Sequence, residues 1–110
     1  MSLSPCYSKS QNSGAAEGLR LELKPTCFYL LSYHHLDMAK FESDKGSDTL
    51  MISFLNRTVR ITGKNLRELA IDIQRRNVES IKPMPDRYGS IGSGDAWVKT
   101  IEIEDKKEQR

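Results

Sequence analysis

Only one stretch of this chain carries helical periodicity, and that constrains everything around it. In RITGKNLRELAIDIQRRN, residues 60–77, Leu66, Leu69, Ala70 and Ile73 recur at i, i+3, i+4 and i+7. That spacing makes a helix with one apolar face, leaving Ile71 off the stripe. Asn65 stands where an N-cap is needed, and Glu68 three residues later completes a capping-box pattern. Gly63 is expected to turn the chain into the helix, and Asn77 to close it in a left-handed conformation. Arg75 and Arg76 near the C-terminal end suit the helix dipole, and Asp72 with Arg76 forms an i, i+4 pair.

The flanking sequence reads as strands. Leu19, Leu21 and Leu23 alternate with Arg20, Glu22 and Lys24 before Pro25. Residues 27–42 are rich in aromatics and lack a helix cap, which predicts one long strand or two strands bent near His34 and His35. SDKGSD, residues 43–48, is a turn cluster. Residues 49–55 form a strand with Leu50, Ile52 and Phe54 on one face and Met51 and Leu55 on the other, so both faces are expected to be covered. Asn56 and Arg57 make a two-residue loop into 58–62, where Val59 and Ile61 point inward. Residues 78–82 and 96–104 are further strands, separated by the glycine-rich loop 87–95. In the last strand Trp97, Ile101 and Ile103 share a face interrupted by Lys99.

Short connections around a single helix predict an α+β fold. We expect a curled, mainly antiparallel sheet, or a small partly open barrel of five or six strands, with one helix packed on it. Residues 1–18 lack apolar periodicity and read as a disordered or weakly docked tail. Residues 19–104 make a single domain, and 105–110 a solvated C-terminal tail. A domain of that size buries only about 60–65% of its unfolded surface, so contact with a partner or a second copy would add stability.

Composition narrows the function classes. Hydrophobic residues make up 37% and charged residues 29% of the chain, polar for a globular domain but not in the disordered range. No run reaches the roughly 18–20 apolar residues that span a bilayer, and no leader pattern opens the chain. Cys6 and Cys27 do not form a disulfide framework. A cytoplasmic location, with free thiols and no membrane, is the expectation. The net charge is +2, but residues 57–87 hold eight basic and four acidic residues, whereas 1–48 hold five and six.

Three constellations bear on chemistry. His34 and His35 are adjacent, so in a strand they face opposite ways and do not chelate one metal together unless the strand bends there. His35 and Asp37 share a face at i, i+2, and Cys27 with His35 would be a thiolate pair, but no third ligand or oxyanion element accompanies them. GSIGSGD, residues 89–95, follows neither the phosphate-loop nor the dinucleotide pattern. The basic cluster Arg57, Arg60, Lys64 and Arg67 is the place to look for an anionic partner.

No motif identifies a family, so function has to be argued from sites. The first reading is a non-catalytic binding or assembly module, with a homo-oligomer or protein partner and no cofactor. The alternative is a nucleic-acid or phosphate-binding domain using the surface around residues 57–87. A second alternative is an enzyme or metal site around His35.

Overall fold

The computed structural model describes residues 6–9, 16–84 and 96–105, and among these it is an α+β fold of eight strands and one α-helix. The loop 87–95, with Arg87, and residues 106–110 lie outside the described residues. One sheet has the order β1 (Tyr7–Lys9), β7 (Val78–Ile81), β2 (Gly18–Lys24), β3 (Cys27–Ser32). The other has the order β4 (Leu36–Asp44), β5 (Ser47–Phe54), β6 (Arg57–Lys64), β8 (Trp97–Asp105). All pairings are antiparallel except the short parallel pair β2–β7, and neither sheet closes. The strand count exceeds the expected five or six for two reasons. Residues 27–42 break at a 3-10 turn, Tyr33–His35, and the segment before Gly18 supplies β1.

The buried faces of both sheets join one core. Leu19, Leu21, Val78 and Ile81 come from the first sheet, Leu50, Ile52, Val59, Ile61 and Val98 from the second. Leu66, Leu69 and Ile73 add the helical stripe of α1 (Arg67–Gln74). Cys6 closes one side, its carbonyl accepting from Lys82 N and its thiol from Val98 N.

Several local expectations shift. The left-handed Lys45 and Gly46 form the two-residue hairpin loop, so the turn cluster 43–48 contracts to its centre. The next loop is Leu55–Asn56, one residue earlier than expected, which leaves Leu55 in solvent rather than in a strand. The second face of β5 is therefore not closed over: Met51 is only half-buried, beneath the Arg60 side chain. Gly63 does not turn the chain. It lies within β6, where a Cβ would stand 1.9 Å from the Trp97 carbonyl oxygen. Close approach of β8, not conformational freedom, requires glycine there. The register shift opposite Gly63 puts Lys99 in a bulge, which is why Val98 and Ile101 are buried while Trp97 is only half-buried.

The helix caps also differ from the expectation. Leu66 is the N-cap and makes no side-chain cap bond. Instead the buried Asp48 carboxylate, on β5 beside its register partner Gly63, accepts the Leu66 N–H at 2.9 Å. Asn65, with φ 57°, makes the turn assigned to Gly63. At the other end Arg76, not Asn77, takes the left-handed position, with φ 58°. Arg76 N donates to Ile73 O and Asn77 N to Asp72 O, the paired bonds of a Schellman motif.

Candidate functional site

The site begins with that helix end. Left-handed backbone costs an L-residue about 1 kcal/mol or more, and glycine is the usual solution. Arg76 is held there by the Schellman bonds and by its carbonyl, which accepts Ala16 N at 2.7 Å. The geometry lays the Arg76 guanidinium over the Tyr33 ring, 5.7 Å from its centroid. Arg76 Nε is buried and has no hydrogen-bond partner among the described residues. The expected Asp72–Arg76 pair does not form. Asp72 is 5% exposed and turns to the other side, accepting Tyr7 OH at 3.1 Å and facing Lys9 Nζ at 3.5 Å.

Tyr33 is the fixed base of this arrangement. It is 5% exposed and donates its hydroxyl proton to the Val78 carbonyl at 2.7 Å. Burial pushes its hydroxyl up to about 12; the Val78 bond and Arg76 oppose the rise, and Asp72 adds to it. A neutral ring beneath the cation is therefore the state across the ordinary pH range.

A groove of about 500 Å³ opens beside this pair. One wall is β4, through Leu36, Met38, Ala39 and Phe41, and the other is α1, through Ala70, Ile71, Ile73 and Gln74. Leu50, fully buried, lies at its base. Ile71, off the helical stripe, finds its place here. Tyr33 and Arg76 line the end where β4 begins, and Asp37 is the one carboxylate among the described residues of the lining. A concave, mostly apolar lining with few polar groups is the usual character of a ligand site, and the volume lies in the usual range.

The residues singled out in the sequence lie elsewhere. Arg57 pairs with Asp105 at 2.6 Å and sits 5.5 Å over the Tyr29 ring. Arg60 donates to Met51 Sδ at 3.4 Å and has Glu102 as its register partner on β8. Lys64 lies 5.9 Å over the Trp97 ring. Arg67 is exposed at the first position of α1. Arg57 shares the register parity of the inward Val59 and Ile61, whereas Arg60 and Lys64 face outward.

His34 and His35 are exposed in the 3-10 turn, so His35 and Asp37 do not share one strand face. Cys27, exposed at the far end of β3, is separated from that turn by the length of the strand, about 16 Å by its rise. Among the described residues no three His, Cys, Asp or Glu side chains are grouped to hold a metal. The helix N-terminus faces Asp48 and Glu68, both acidic, which disfavours an anion there.

The edge strands differ in chemistry. β4 carries Asp37, Lys40, Glu42 and Asp44; β8 carries Lys99, Glu102, Glu104 and Asp105; β1 is three residues long with Lys9. Brevity and charge of this kind deter edge pairing on β1 and β8, whereas on β4 Lys40, Glu42 and Asp44 alternate with the uncharged Ala39 and Phe41 and fall on the other face of the strand. β3, CFYLLS, has no charge, and its Phe28 and Leu30 are 54% and 71% exposed.

Among the described residues no helix is long and apolar enough to cross a membrane. No protein-family model, curated protein or solved structure matches the chain.

Proposed function

We propose that the chain is a non-catalytic binding module whose working surface is the groove between β4 and α1. Its ligand combines an apolar body, seated on the groove lining, with an anionic group set against Arg76. Arg76 carries this reading. A cation whose Nε is buried without a hydrogen-bond partner among the described residues, on a left-handed backbone, costs stability in the free protein. An incoming carboxylate or phosphate offsets that cost by pairing with a preplaced guanidinium.

The test is a titration of the isotope-labelled protein with octanoate, octanol and octylammonium, followed by amide chemical shifts. Octanoate is expected to bind best, by about tenfold or more over octanol, the worth of one charge-assisted bond. Shifts should map to β4, α1 and Arg76. Equal binding of the three probes, or shifts confined to another surface, would sink the reading.

A second reading rests on β3. Its uncharged edge and exposed Phe28 and Leu30 favour strand pairing between two copies. A concentration-dependent mass by light scattering, abolished in Leu30→Lys, supports it; a monomer at all concentrations removes it.

Contact with nucleic acid through Arg57, Arg60, Lys64 and Arg67 is less well carried, because Asp105 pairs with Arg57 and Glu102 lies opposite Arg60. Single-stranded RNA at about 50 mM salt is expected to bind no better than the weak non-specific range of about 100 µM. Submicromolar binding that weakens steeply with salt would restore the nucleic-acid reading.

A further inference from the structure

We infer that the occupant of the groove is an extended peptide segment, added to β4 as an antiparallel strand and ending at Arg76 with its C-terminal carboxylate. This rests on the groove being a binding site and names its ligand class.

The first observation is topological. β4 is the edge of its sheet, with β5 on one side and no strand on the other among the described residues. The phase of the β4–β5 hairpin then decides which backbone groups are free. Lys45 and Gly46 form a two-residue loop, so Asp44 and Ser47 exchange both ladder bonds. Counting back, the pairs Glu42–Thr49 and Lys40–Met51 are bonded in the same way. Ser43, Phe41 and Ala39 therefore turn their N–H and C=O groups toward the open edge. Phe41 and Ala39 also line the groove, on the same sheet face as their cross-strand partners Leu50 and Ile52. The same two residues thus present both the free backbone groups and the apolar wall. Strand addition requires that combination: main-chain bonds for affinity and a pocket for alternate side chains.

The second observation is polarity. Arg76 lies at the Leu36 end of β4, over Tyr33. A strand added antiparallel to β4 runs from the Asp44 end to the Leu36 end, so its C-terminus arrives at the guanidinium. A parallel strand would bring an N-terminal ammonium or mid-chain amide to the same place. Arg76, whose Nε has no hydrogen-bond partner among the described residues, selects the antiparallel direction and a free carboxylate. The reach from Phe41 to Leu36 is about 16 Å, or about five residues of ligand, with two or three side chains entering the groove. Asp37 on the lining disfavours acidic side chains near the ligand's end.

The experiment uses the full chain and two pools of acetylated hexapeptides with Val, Leu, Ile or Phe at alternate positions. One pool ends in a free acid and the other in an amide; octanoate is the third probe. Amide hydrogen exchange and chemical shifts are the readouts. The acid pool is expected to bind about tenfold or more tightly than the amide pool. It should slow exchange at Ala39 and Phe41 and leave Lys40, already bonded to β5, unchanged. Arg76→Gln should abolish the difference between acid and amide pools. Octanoate binding without peptide protection of Ala39 and Phe41 would overturn strand addition and leave the groove reading standing. Failure of both octanoate and peptides would overturn the two together. Equal affinity of acid and amide pools would refute the role of Arg76. Protection of Ala39 and Phe41 that rises with protein concentration alone would assign the edge to a second copy instead.

Discussion

Replacing Arg76 with glycine separates a residue kept for binding from one kept for stability. Glycine removes the left-handed strain, worth about 1 kcal/mol, and removes a buried unpartnered Nε, worth about 1–3 kcal/mol. Against this, the stack on Tyr33 is lost, at about 0.5–2 kcal/mol, along with about 1 kcal/mol of stem packing. Glycine's freedom in the unfolded chain costs about 0.5–1 kcal/mol more. The two sides nearly cancel, so Arg76→Gly should leave stability within about 1 kcal/mol of the parent, a midpoint shift of no more than about 8 °C. Urea unfolding measures this directly. The same variant should lose the preference for octanoate over octanol. Arg76→Asn, which tolerates the left-handed backbone, should behave alike. A loss of more than about 2 kcal/mol with anion preference intact would show that Arg76 is structural and that the reasoning about the groove is mistaken.

Three further outcomes follow from the geometry. The folded Tyr33 hydroxyl titrates near 12, above its unfolded value, so its contribution is complete below about pH 10. It is then lost as pH rises through 12, by about 2–3 kcal/mol in all, and Tyr33→Phe should lack that alkaline component in urea unfolding. Gly63→Ala places a methyl against the Trp97 carbonyl and should cost about 3 kcal/mol, seen in the denaturant midpoint; a neutral result would mean that β8 does not approach β6 as described. Asp48→Ala deprives Leu66 N–H of its acceptor and should cost about 1–2 kcal/mol, with Asp48→Asn retaining much of it; equal loss in both would mean that the carboxylate's charge, not its bond, matters.

Periodicity made much of the fold legible. The stripe Leu66, Leu69, Ile73 is buried as its spacing requires, and Val59, Ile61, Leu50, Ile52 and Phe54 alternate inward as strand residues do. These positions are determined by local geometry, since burial of one face is the only way such patterns lower their free energy. Details that depend on a partner distant in sequence were not legible. Asn65 and Glu68 match a capping box in sequence, yet the N–H group of Leu66 is taken by Asp48, 18 residues away. Gly63 looks like a turn, and only the arrival of β8 shows why no Cβ fits there.

The candidate site was hardly legible at all. Arg75 and Arg76 are alike in composition, and helix-dipole reasoning treats them the same way. What distinguishes Arg76 is a left-handed backbone at the helix end, a Tyr33 ring beneath it and an Asp72 turned toward Lys9 and Tyr7. Arg57, Arg60, Lys64 and Arg67 are close in sequence, but alternation along β6 and partners on β8 distribute them over different surroundings. By itself the sequence determined the class of fold, the helix and most core faces, because those follow from period and local sterics. The tertiary structure alone decided that the buried Arg76 Nε has no hydrogen-bond partner among the described residues, which of their strand edges are open and where a groove forms. Charge pairing and concavity are set by contacts between residues far apart in the chain, and local pattern carries no record of them.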